Sequence, residues 1–127
     1  MLYDPITLTE ALIKCRSVTP KNDGAIELVS QWLEELNFEC KILEFEEEDS
    51  SAVKNLWGQL GSQGPTLCFA GHTDVVPAGD ESVWEFGPFE AKNNGERIFG
   101  RGASDMKGSI ASFISATSRF LEKNSNF

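Results

Sequence analysis

The sequence is poor in basic residues and in histidine. Eleven lysines and arginines stand against 20 aspartates and glutamates, with one histidine, and the formal net charge is −9 at pH 7. Because the negative phosphate backbone of a nucleic acid attracts basic surfaces, this balance argues against a nucleic-acid partner. Part of the acidity lies in EFEEEDSS (44–51), which we interpret as a solvated turn rather than an acidic recognition surface.

Long apolar runs and paired cysteine motifs are also lacking. No segment approaches the roughly 18 uninterrupted apolar residues that cross a membrane. The first ten residues, MLYDPITLTE, show neither the basic nor the apolar region of a secretory signal. Cys15, Cys40 and Cys68 have no CxxC spacing and lie in apolar surroundings. We therefore expect no membrane partner, no cysteine metal site, buried reduced thiols and a cytoplasmic location.

The remaining pattern predicts one α/β domain. Asp4-Pro5 predicts a helix start, and apolar spacing predicts further helices over 25–36 and 107–122. Alternation predicts strands within FECKIL (38–43) and NLWGQLG (55–61), and the wholly apolar TLCFAG (66–71) predicts a strand covered on both faces. The last helix is expected to bury Ile110, Phe113, Ile114, Thr117, Phe120 and Leu121.

A candidate pair of polar residues follows the apolar run 66–71. His72 and Asp74 are two residues apart, so their side chains share a face if the backbone is extended there. A carboxylate that accepts the proton of one ring nitrogen fixes the tautomer and raises the basicity of the other nitrogen, which can then bind a metal. The pair alone does not separate this interpretation from a structural histidine.

A glycine-rich segment, FGRGASDMKGS (99–109), precedes the last predicted helix. Asp105 would lie near the first helical N–H groups, where Asp105 or Ser104 could simply be an N-cap. Two phosphate-binding motifs fail: Lys107 precedes Gly108, whereas a P-loop needs Gly-Lys, and Asp105 stands where the dinucleotide motif needs glycine. Taken together with His72, the carboxylate suits zinc, cobalt or manganese better than calcium or an iron–sulfur cluster.

The two segments together are similar to a known family. GHTDVVPAGD (71–80) and GRGASDMKG (100–108), with Trp84, Pro88 and Phe89 between them, resemble the dinuclear-zinc metallopeptidases of the M20 family. LTEALIKCRSVTPKNDG (8–24) and WLEELNFE (32–39) are similar too. The resemblance implies that residues 1–127 are the N-terminal part of a zinc-exopeptidase-like catalytic domain, an α/β fold with a mixed sheet flanked by helices.

The resemblance also implies roles for three residues. His72 corresponds to a metal ligand, Asp74 to the catalytic aspartate that orients His72, and Asp105 to the carboxylate that bridges two divalent ions, zinc or cobalt. A cis peptide bond between Asp105 and Met106 is implied as well. The implied chemistry is metal-assisted hydrolysis of an amide bond.

Within the family, the motifs are most similar to the branch that hydrolyses N-succinyl-LL-2,6-diaminopimelate to succinate and LL-2,6-diaminopimelate in lysine biosynthesis. This implies a small-molecule substrate and a homodimer for the full-length enzyme. The lid and dimerisation domain, the glutamate that acts as base and the remaining ligands would lie beyond Phe127. Alternatives are a branch that deacylates acetylornithine, a carboxypeptidase, and a non-catalytic α/β binding or assembly module with a vestigial site. We expect the 127 residues alone to be inactive and prone to self-association through an uncovered sheet edge.

Overall fold

The computed structural model describes residues 3–46 and 51–124. Helix α1 (Pro5–Lys14) begins where the sequence predicts: Asp4 Oδ2 accepts a hydrogen bond from the Thr7 backbone N–H at 2.9 Å. Helix α2 (Ala25–Glu35) is followed by Asn37, whose φ of 66° lies in the left-handed region that ends helices. The first two predicted helices are confirmed.

Two antiparallel strand pairs make up the described β-structure. Strand β1 (Glu39–Phe45) pairs with β2 (Val53–Gln59), in a register that runs from Glu39 opposite Gln59 to Phe45 opposite Val53. The shorter strands β3 (Lys92–Asn93) and β4 (Ile98–Phe99) pair with each other. A parallel bridge joins Val18 to Val75. Half of the predicted acidic turn (44–51), residues 47–50, lies outside the described residues.

Helix α3 (Gly108–Lys123) packs with α1 and α2 around one core. The buried face of α3 differs from the predicted one: Phe120 is 46% exposed, whereas Ala111, Ser115 and Ser118 are buried. Small side chains let packed elements approach closely, so their burial follows the packing geometry rather than their hydrophobicity. None of the helices in the described ranges is both long and apolar enough to span a bilayer. The core residues are Tyr3, Leu8, Leu12, Val29, Trp32, Leu33, Leu36, Ile110, Ala111 and Ile114.

The apolar run 66–71 does not form the predicted strand. Leu67 is 88% exposed, and no strand within residues 3–46 and 51–124 pairs with this segment. Apolar composition predicts burial only where other elements cover the segment. The Phe113 ring of α3 stacks on Phe69, but Phe69 is still 38% exposed, so the segment is not covered on both faces. The predicted burial of Cys68 is wrong for the same reason, whereas Cys15 and Cys40 are partly buried free thiols.

Candidate metal centre

The two candidate metal ligands lie side by side. His72 Nε2 is 3.0 Å from Asp105 Oδ1, although 33 residues separate them in the chain. Both side chains reach solvent, with 48% of the His72 side chain and 86% of the Asp105 side chain exposed. The structure therefore brings together the two residues that the sequence offered from separate motifs.

Asp74 lies on the other side of the imidazole. His72 Nδ1 is 3.0 Å from the backbone oxygen of Asp74 and 3.3 Å from its Oδ1 atom. The nearer partner is thus the carbonyl rather than the carboxylate that the sequence suggested. Both atoms belong to Asp74, so this residue faces Nδ1 while Asp105 faces Nε2.

These oxygens stabilise positive charge on the ring. The pKa of His72 is raised above its usual value, first by the hydrogen bond with the Asp74 backbone and then by Asp105 and the two carboxylate charges. Partial burial opposes this increase. Surroundings that favour a protonated imidazole also provide the negative potential that attracts a metal cation.

Asp105 owes its position to a kinked turn before α3. Asp105 (φ −129°, ψ 94°) and Met106 (φ −135°, ψ 27°) are not helical, and the peptide bond between them is cis, as the resemblance implied. The residue that precedes α3 is Lys107, and no side chain caps the helix there. The N-cap interpretation of Asp105 is therefore wrong, and its carboxylate contacts His72 instead.

The same turn contains a buried lysine and a required glycine. Lys107 is fully buried, and its Nζ donates a hydrogen bond to the backbone oxygen of Cys15 at 2.7 Å. Burial lowers the pKa of Lys107 to about 8, against the opposing effects of Cys15, Asp23 and Asp74. Gly102 has a φ of 83°, and a Cβ atom there would lie 2.5 Å from Val75 Cγ1.

An open cleft of about 260 Å³ surrounds these groups and is lined by residues 72, 74–76 and 100–105. Besides the imidazole and the two carboxylates, Arg101 contributes to its wall. The guanidinium carbon of Arg101 lies 5.3 Å from the centroid of the Trp84 ring, a cation–π distance. The cleft therefore combines acidic side chains with the guanidinium group of Arg101, which lies against the Trp84 ring.

Two hydroxyl side chains near the site have no counterpart in the sequence predictions. Thr19 Oγ1 donates to Asp74 Oδ2, and the buried Ser17 Oγ donates to the Thr73 backbone oxygen at 2.8 Å. Both lie in SVTPKNDG (17–24), which showed only turn signals. No spacing within the sequence could have revealed them, because their partners are more than 50 residues away, with separations of 55 and 56.

The donor set matches part of a metal site. A histidine nitrogen and a carboxylate oxygen are the ligands that zinc and similar ions accept. Within residues 3–46 and 51–124, no group of three or more His, Cys, Asp or Glu side chains is placed to hold a metal. Since structural zinc takes four ligands and catalytic zinc takes three protein ligands, His72 and Asp105 fit as a partial ligand set.

Comparison with known proteins shows a similarity to one peptidase family. The family model for peptidases of family M20/M25/M40 matches residues 68–127, a span that contains His72, Asp74 and Asp105. Succinyl-diaminopimelate desuccinylase of Rhodospirillum centenum is 51% identical over 124 residues, which cover 98% of this chain and 32% of that protein. The chain is therefore similar to the M20 family.

A second relative shows the same similarity. The protein named succinyl-diaminopimelate desuccinylase in Parvibaculum lavamentivorans is 46% identical over 117 residues, covering 92% of this chain and 30% of that relative. The chain thus spans about a third of the length of the curated relatives it matches. The crystal structure of human carnosine dipeptidase 1 aligns with a TM-score of 0.84 at 21% identity, over 94% of this chain and 28% of that one. This similarity confirms the predicted α/β fold.

Proposed function

We propose that residues 1–127 are the N-terminal part of the catalytic domain of an M20 amide hydrolase. In this proposal the full-length protein converts N-succinyl-LL-2,6-diaminopimelate into succinate and LL-2,6-diaminopimelate. The names of the similar relatives support this choice of substrate. The observation that carries the proposal is the 3.0 Å approach of His72 Nε2 and Asp105 Oδ1 within the family's matched segment.

Each candidate residue has a distinct task in this proposal. His72 presents the Nε2 lone pair and Asp105 presents carboxylate oxygens on the same side of the cleft, which is the arrangement needed to hold a cation. Asp74 keeps the Nδ1 side of the ring occupied, so that the proton stays on Nδ1 and Nε2 stays free. Divalent ions bound here, zinc or cobalt, would polarise the amide carbonyl and make a water molecule more acidic.

The rest of the machinery is proposed to come from other parts of the full-length protein. One nitrogen and one carboxylate do not fill two metal coordination shells, so further ligands and a glutamate base are needed. The lid and dimerisation domain, a homodimer and a cytoplasmic place in lysine biosynthesis belong to the same proposal. The 127 residues alone are expected to show no hydrolysis, and they are expected to self-associate.

Zinc titration of the 127-residue chain tests the candidate ligands. We expect one weak zinc site by calorimetry, abolished in His72→Ala and weakened at least tenfold in Asp105→Asn. Asp80→Asn is the matched control, because Asp80 is an exposed aspartate whose carboxylate accepts hydrogen bonds from Ser82 within its own turn. Zinc binding that is equal in all four proteins would contradict the ligand assignment and favour the non-catalytic binding module.

Substrate choice is tested separately, in the full-length protein loaded with zinc. We expect faster release of succinate from N-succinyl-LL-2,6-diaminopimelate than of acetate from acetylornithine. The reverse preference would move the protein to the acetylornithine branch without changing the ligand assignment.

A further inference from the structure

A short loop after α1, residues 15–19, lies against the segment that contains His72 and Asp74. The Val75 N–H donates to the Ser17 oxygen at 2.9 Å, and the Thr19 N–H donates to the Val75 oxygen at 3.1 Å. These two bonds form the parallel bridge between Val18 and Val75. They fix the backbone of the 15–19 loop beside that of Asp74, so Thr19 cannot move away without breaking the bridge.

The 15–19 loop is itself held firmly. Ser17 is fully buried, with a φ of 38°, and its Oγ donates to the Thr73 oxygen between His72 and Asp74. Lys107 holds the start of the loop from the other side through its bond to the Cys15 oxygen. Because the turn before α3 and the 72–75 segment both contact the loop, it ties together the two halves of the candidate centre.

Thr19 reaches from this loop to one oxygen of Asp74. The Thr19 hydroxyl donates to Oδ2, while Oδ1 lies 3.3 Å from His72 Nδ1. The two carboxylate oxygens thus have different partners. A carboxylate rotates easily about its χ2 torsion when nothing holds it, so the Thr19 hydroxyl fixes the orientation in which one carboxylate oxygen faces the imidazole.

The orientation of Asp74 matters because His72 has two competing neutral tautomers. With the proton on Nδ1, the ring faces the Asp74 oxygens, and the Nε2 lone pair stays free for a cation. With the proton on Nε2, the ring donates to Asp105 Oδ1, 3.0 Å away, and neither atom can serve a metal without a proton shift. A held Asp74 favours the first tautomer.

We propose that Thr19 is a positioning residue of this centre: its hydroxyl orients the Asp74 carboxylate, which in turn keeps the His72 proton on Nδ1. The consequence for metal binding rests on the proposed function. The hydrogen-bonded series from Thr19 through Asp74 to His72 does not depend on that function and can be tested without a metal.

The test uses the chain's single histidine, whose ring nitrogens give unambiguous nitrogen-15 NMR signals. In the metal-free chain, at a pH at which the imidazole is neutral, Thr19→Val is expected to raise the population of the Nε2–H tautomer. Thr19→Ser keeps the hydroxyl and is expected to retain the wild-type shifts. Zinc affinity should fall roughly fivefold to tenfold in Thr19→Val, near the lower limit for partners beyond the direct ligands, and Thr19→Ser should restore it.

Thr7→Val is the matched control. Thr7 Oγ1 also donates to an aspartate carboxylate, Asp4 Oδ2 at 3.0 Å, but at the start of α1. It should change neither the tautomer ratio nor zinc affinity. Thr19→Ala removes the hydroxyl without adding the branched methyl groups of valine. It therefore keeps the test valid if valine disturbs the packing or if the Thr19→Val chain does not fold.

The proposal is overturned if the histidine shifts of Thr19→Val and Thr19→Ala match those of the wild type, or if Thr19→Ser behaves like Thr19→Val. A wild-type chain that binds no zinc would contradict the proposed function instead. The tautomer measurement is made without zinc, so it would still test the role of Thr19.

Discussion

The ammonium group of Lys107 and the backbone oxygen of Cys15 are 2.7 Å apart, although 92 residues separate them in the chain. The bond joins the end of α1 to the turn that carries Asp105, and the aliphatic part of the Lys107 side chain passes Gly102 on the way. The lysine therefore does two things: its stem fills space and its ammonium makes a polar contact.

Substitutions at Lys107 should separate these two contributions. Lys107→Ala leaves a cavity and is expected to lower the free energy of unfolding by about 2–4 kcal/mol. Lys107→Met keeps most of the stem and removes a buried charge, so we expect a smaller loss. Urea unfolding measures both, with the exposed Lys21→Met as control, expected within about 0.5 kcal/mol of the wild type. Equal losses in the two Lys107 variants would show that the ammonium contact, rather than the stem, stabilises the turn.

Gly102 and Gly79 form a matched pair for substitution by alanine. Both have left-handed backbones, with φ of 83° and 76°, but only at Gly102 would the new Cβ clash, 2.5 Å from Val75 Cγ1. Gly79→Ala should therefore cost only the backbone penalty of about 1–2 kcal/mol. Gly102→Ala should cost about 1–3 kcal/mol more. Thermal unfolding of both variants tests this, and similar losses would mean that the contact with Val75 relaxes freely.

The raised pKa of Tyr3 predicts a loss of stability at high pH. Burial, with the hydrogen bond to Glu35 at 2.8 Å, raises the pKa of Tyr3 to about 12. The unfolded chain loses this proton near pH 10 and the folded chain only near pH 12, so the contribution is complete below pH 10 and is lost as pH rises through that window. Relative to Tyr3→Phe, the wild type should lose on the order of 1 kcal/mol between pH 8 and pH 11. Parallel stability curves for the two proteins would rule out this coupling.

The three cysteines should react at different rates. Cys68 is exposed, whereas burial raises the pKa of the Cys15 and Cys40 thiols and so lowers their thiolate fractions. We expect iodoacetamide to modify Cys68 first, as measured by peptide mass spectrometry of the native chain. Cys68→Ser should remove this fast phase, whereas Cys40→Ser should leave it. Labelling of Cys68 only after unfolding would instead support a covered 66–71 segment.

Local signals in the sequence predicted the helices well. The Asp4-Pro5 pair fixes the start of α1, and Asn37 tolerates the left-handed conformation that ends α2. Both signals depend on the backbone preferences of a few adjacent residues, so they can be read directly from the sequence. The prediction of a strand over 66–71 failed because such a strand needs partners on both faces, and the described residues leave Leu67 88% exposed.

The sequence predicted the members of the candidate centre but not their contacts. The motifs supplied His72, Asp74 and Asp105, and the structure adds that the first and last of these are in contact. The choice of the Asp74 carbonyl as the nearer partner of Nδ1, and the presence of Thr19 beside it, depend on the three-dimensional arrangement of distant segments. Long-range contacts of this kind leave no periodicity or spacing in a single sequence.

The contacts of the 15–19 loop have a consequence for how the chain folds. Its side-chain partners are 55, 56 and 92 residues away in sequence, so each contact closes a long segment of chain. Such closures lose much conformational entropy and form only when distant segments have met. In the unfolded chain these contacts are absent, so nothing keeps His72 and Asp105 close together. A cation that needs both residues would therefore bind the folded chain and not the unfolded one. Above the dissociation constant, the melting temperature of the chain should rise with the logarithm of the cation concentration.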